Sequence, residues 1–158
     1  MLAVMDAIDH LAQLRRDGTR MAELARGNLD APVPTCPGWT LADLVEHTGF
    51  VHRWQSAAVR DEPSTFPDAS TWKHGPAVGE TPADWFARGV DDAIAVIGAA
   101  DPDAARWTWA GPSTVRWYRR RIAQVCLRAS CGTPITLPAR TTARWESGTA
   151  RRSASGAL

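Results

Sequence analysis

The sequence predicts an all-α protein, a bundle of four helices in which the last helix is incomplete. Four stretches place apolar residues at intervals of three and four, the spacing of one face of a helix. Three of these stretches open on residues that can cap helices, and segments rich in proline and glycine separate the stretches. With 158 residues, of which 44% are hydrophobic and 22% charged, the chain has the size and composition of one globular domain.

The first helix is expected over residues 2–27, where apolar side chains form one stripe and Gly27 and Asn28 supply a stop. His10 lies in this stretch, and nothing near it in the sequence completes a binding site. Prolines then keep the following loop extended. Cys36, in this loop, is either a small buried side chain or a reactive thiol, and the absence of basic neighbours favours the first role.

The second helix is expected over residues 40–60, opened by a capping box between Thr40 and Asp43. His47 lies beside its apolar face, in the middle of the helix. Asp43 precedes His47 by one helical turn, so its carboxylate either caps the helix or orients the imidazole. His52 is about 140° from His47 around the helix, so the two cannot easily share one metal. We expect His52 to face solvent or the mouth of a pocket.

A long loop over residues 61–80 contains His74 and precedes the third helix. Thr81 and Pro82 open this helix as its cap and first residue, and Gly98 ends it. Because His74 stands beside Gly75-Pro76 in the loop, the spacing gives it no support as a metal ligand.

The segment RWTWAG, residues 106–111, alternates in a way that predicts a short extended stretch before the fourth helix. Ser113 is expected to cap that helix. Its first turns carry a cluster of arginines, namely Arg116, Arg119, Arg120 and Arg121. Such a cluster either holds phosphate or carboxylate groups or forms a solvated basic face, and the second interpretation is the commoner one.

Charge is unevenly distributed along the chain although its net value is +1. Residues 1–103 carry 16 acidic and 8 basic side chains, whereas residues 104–158 carry 10 arginines and one acid. A basic half of this kind is a candidate surface for an anionic partner. None of the common nucleic-acid-binding motifs accompanies it, so a nucleic acid is not the expected partner.

Cysteine usage and the lack of long apolar runs predict the compartment. The three cysteines are an odd number and show neither a disulfide framework nor the spacing of a zinc knuckle: Cys36, Cys126 and Cys131. We find no apolar leader and no apolar run long enough to span a bilayer. We therefore expect a protein of the reducing cytoplasm, without membrane contact.

Residues 32–54, PVPTCPGWTLADLVEHTGFVHRW, resemble the N-terminal, metal-binding domain of the mycothiol-dependent maleylpyruvate isomerase family. The resemblance implies a DinB-like four-helix fold and a divalent metal, usually zinc, with His47 as one of its ligands. It also implies mycothiol as a low-molecular-weight thiol that the metal activates, and a small-molecule substrate.

The family pattern stops within the fourth helix. In the family the other two metal ligands are a glutamate and a histidine, spaced E-x-x-x-H on the last helix. Aligned through Gln124, the expected glutamate falls at Val125 and the expected histidine at Ala129, and neither side chain can bind a metal. We expect a bundle domain over residues 1–129 and a disordered basic tail over residues 130–158, whose polar composition cannot bury a core. The abrupt change after Gln124 indicates a truncated or frame-shifted homologue.

Three functions are compatible with these patterns. The first is a metal-binding domain of a mycothiol-dependent isomerase or transferase, with an incomplete metal site. The second is an inactive, truncated homologue, and the third is a binder of an anionic partner through the basic half of the chain. Catalytic and cofactor-binding residues are not assigned by the sequence.

Overall fold

The computed structural model describes residues 9–63 and 75–131, and within these ranges it contains four helices and one β-hairpin. In chain order they are α1 (His10–Leu24), α2 (Leu41–Arg60), α3 (Pro82–Ala99), β1 (Ala105–Thr108), β2 (Gly111–Thr114) and α4 (Val115–Cys131). Helices α1 and α2 each pack against both α3 and α4. The prediction of an all-α, DinB-like bundle is confirmed. Within the same ranges, no helix is long and apolar enough to cross a membrane.

Helix α1 is shorter than the sequence predicts. Asp9 has an extended backbone conformation, and its carboxylate accepts hydrogen bonds from the N–H groups of Leu11 and Ala12 at 3.1 and 3.0 Å. This cap makes His10 the first helical residue, so a continuous helix from residue 2 is wrong. Residues 1–8 lie outside the described ranges. The helix ends at Leu24, where a turn begins, rather than at residue 27.

Helix α2 begins with the predicted capping box. The N–H of Thr40 donates to the Asp43 carboxylate at 2.8 Å, and the N–H of Asp43 donates to Thr40 Oγ1 at 3.3 Å. The preceding proline-rich loop is tied to the helix start, because Pro32 and Thr40 form an isolated β-bridge. These local bonds fix where the helix begins.

Helix α3 and the hairpin that follows confirm two predictions and correct one. Thr81 caps α3, accepting a hydrogen bond from the N–H of Asp84 at 3.1 Å. The extended stretch predicted over residues 106–111 contributes most of β1 and the turn. Ser113 lies in β2 and pairs with Arg106 of β1. It does not cap α4, so its predicted role is wrong. Helix α4 follows β2 directly.

The core lies where the four helices meet. Each helix contributes fully buried side chains, including Leu14, Met21, Val45, Phe86, Ile97, Tyr118 and Ile122. The Tyr118 hydroxyl donates to the carbonyl of Trp107, which ties the hairpin to α4. Burial raises the pKa of Tyr118, so the hydroxyl stays a neutral donor. Helices α2 and α3 approach closely at Gly49, where a Cβ atom would collide with the ring of Trp85.

Helix α4 continues through Cys131, past the point at which the family pattern stops. Positions 125 and 129 are both helical and therefore lie one turn apart. The proposed division into a bundle of residues 1–129 and a tail of residues 130–158 stays a prediction, since residues 132–158 lie outside the described ranges.

Candidate metal site

His47 occupies a half-buried position on α2 beside an aromatic ring. The indole of Trp39 meets the imidazole edge-on, with ring centroids 5.2 Å apart and planes at 73°. Trp39 comes from the turn that precedes α2, where its carbonyl accepts a bond from Val33 N–H and its N–H donates to Cys36, both at 2.9 Å. The proline-rich turn therefore places the Trp39 ring against one side of the candidate ligand, His47.

Asp43 serves the helix cap. Its Oδ2 atom accepts hydrogen bonds from both the N–H and the hydroxyl of Thr40, at 2.8 and 2.7 Å. The sequence left open whether this carboxylate caps α2 or orients His47. The structure shows the capping role in full, because both halves of the capping box are present.

The family resemblance implies three metal ligands, at positions 47, 125 and 129. Of these three positions, only position 47 carries a side chain that can bind a metal, His47. Within residues 9–63 and 75–131, no group of three or more His, Cys, Asp or Glu side chains is placed to hold a metal ion. The two positions that the resemblance assigns to the other ligands lie one turn apart on α4 and carry valine and alanine, whose side chains contain no donor atom. The described residues therefore offer no complete three-ligand set. His74 lies outside the described ranges, and so do the side chains of Cys126 and Cys131.

His52 is buried in the core, so the expectation that it faces solvent is wrong. Its side chain is 0% exposed and its ring lies 5.5 Å from that of Phe86, measured between centroids. Burial, with a smaller contribution from Arg53, lowers the pKa of His52 from 6.5 to about 3. The imidazole is therefore neutral at physiological pH.

Arg53 connects α2 to α3 from a half-buried position. Its guanidinium donates to the carbonyl of Gly49 at 3.0 Å and to that of Trp85, and its Cζ atom lies 4.0 Å from the centre of the Trp85 ring. Burial, and then the charge of Arg88, lowers its pKa. A side chain at Gly89 would collide with this guanidinium, so the glycine makes room for it.

The arginine cluster of α4 is largely engaged within the protein. Arg116 forms a bidentate pair with Asp103, with nitrogen–oxygen distances of 2.8–3.0 Å. The guanidinium of Arg119 donates to three carbonyl groups at the end of α3, those of Ile97, Gly98 and Ala100, at 3.0–3.3 Å. Arg121 lies over the Trp109 ring at 5.0 Å. Arg116 and Arg120 are exposed, as expected of a solvated face, and the contacts of Arg116, Arg119 and Arg121 weaken the case for a phosphate-holding cluster.

Aromatic side chains gather where the hairpin meets α4. Trp109 and Trp117 make an edge-to-face contact with ring centroids 4.4 Å apart, whereas Trp107 is 43% exposed. The sequence assigned no role to the two tryptophans of the segment RWTWAG, Trp107 and Trp109. The structure shows that one packs in this cluster and the other lies at the surface.

The family model described as the mycothiol maleylpyruvate isomerase N-terminal domain matches residues 10–129. No curated protein and no solved structure matches the chain significantly. The matched range contains all four helices except the last two residues of α4.

Proposed function

The chain belongs to the mycothiol maleylpyruvate isomerase N-terminal domain family, and from that membership we propose that it is a homologue that keeps the fold but has lost the metal site. The family name associates the domain with a thiol, mycothiol, and with a small-molecule substrate. In this chain the thiol-dependent isomerase or transferase activity is absent, because the metal that would activate the thiol lacks its protein ligands. A reducing cytoplasm is the compartment that suits such a protein.

One observation carries this proposal. Helix α4 is continuous through Cys131, so the backbone is in place at both positions where the family has its Glu and His. Those positions hold Val125 and Ala129, and His47 is left without the two partners. Catalytic zinc sites use three protein ligands and keep a further position open, so a single imidazole does not hold zinc usefully.

The same observation supplies a gain-of-function test. The double substitution V125E/A129H restores a glutamate and a histidine one turn apart on α4, at the two positions that the resemblance assigns to metal ligands. We expect this variant of the full-length protein to bind about one zinc per chain, whereas the unmodified protein does not. Isothermal titration calorimetry with zinc measures the stoichiometry and the affinity of zinc binding for both proteins.

A triple variant, H47A/V125E/A129H, is the matched control, and it should lose most of the restored affinity because a ligand is removed. Circular dichroism establishes that each variant is helical before titration. A zinc-dependent rise in melting temperature then reports binding to the folded state independently of calorimetry. The proposal is contradicted if the unmodified protein binds one zinc that it loses on His47→Ala. The missing ligands would then lie elsewhere, with His74 and Cys126 as the first candidates.

A further inference from the structure

We draw no further inference here: the strongest candidate, the crevice of about 150 Å³ between α1 and α3 that Gly18, Ala22 and Val90 line, carries none, because the charged side chains at its rim, Arg15 and Asp91, pair with each other and nothing in the described residues shows what would cover it.

Discussion

The two histidines of α2 lie five residues apart and occupy opposite environments. His47 is half-buried, meets the edge of Trp39 and is the residue that the resemblance proposes as a metal ligand. His52 is fully buried, packs against Phe86 and has no hydrogen bond at either ring nitrogen. Residue type therefore does not mark a ligand on this helix. The face on which each histidine lies, and what the neighbouring elements bring to that face, decide its chemistry.

The dependence of the free energy of unfolding on pH is the strongest test of this contrast. The pKa of His52 in the folded protein is about 3, below the ordinary value of 6.5. Between these two values His52 is protonated in the unfolded chain but not in the folded chain. The contribution of His52 is present in full above pH 6.5 and is lost as the pH falls toward 3. Between pH 7 and pH 4 it should amount to about 3 kcal/mol of unfolding free energy.

Urea unfolding at several pH values measures this dependence. His52→Gln should remove most of the contribution, because the substituted side chain does not titrate in this range. Equal slopes for the unmodified protein and His52→Gln would show that His52 is not the buried, neutral group described above.

The next largest effect is expected at Gly49, where α2 and α3 are in closest contact. Gly49→Ala should lower the free energy of unfolding by about 1–3 kcal/mol, because the added methyl group collides with the Trp85 ring. Gly98→Ala is the matched control on α3, since the nearest atom, in Leu11, is 3.4 Å away and alanine favours a helix. It should raise stability by about 0.5–1 kcal/mol. Thermal melts of the two variants should therefore shift in opposite directions, and a shift in the same direction would contradict the close contact.

The smallest effect concerns the start of α2, near His47. Thr40→Ala removes the side-chain acceptor of the capping box and should cost about 1 kcal/mol of unfolding free energy.

If Asp43 serves the cap alone, Asp43→Asn in the V125E/A129H background should leave the zinc affinity unchanged while lowering stability. A large loss of zinc affinity with Asp43→Asn would instead assign this carboxylate to the orientation of His47.

The parts of the fold that the sequence predicts are those that local interactions fix. The capping box of Thr40 and the cap and proline at the start of α3 depend on residues within one turn, and both predictions are confirmed. Ser113 also has the chemistry of a cap. Its pairing with Arg106 in the hairpin, a contact across the turn, determines its actual role. The burial of His52 likewise depends on Phe86 of another helix and could not be inferred from α2 alone.

For the candidate site, the resemblance proposed His47 as a ligand and positions 125 and 129 for the two other ligands, and both stay predictions. It gave no information on the surroundings of His47. The contact of Trp39 with His47 follows from the turn geometry of residues 33–39, which no spacing rule encodes. The buried polar side chains of α2 left a signal in the sequence. Thr48, His52 and Gln55 share one face, and that combination within an apolar helix indicates buried polar groups.

The zinc content of the full-length protein, purified after growth with added zinc, tests the central claim most directly. Elemental mass spectrometry should find well below one zinc per chain, with the same value for His47→Ala. One zinc per chain in the unmodified protein, lost in His47→Ala, would contradict the account, because it would mean that His47 still belongs to a complete metal site.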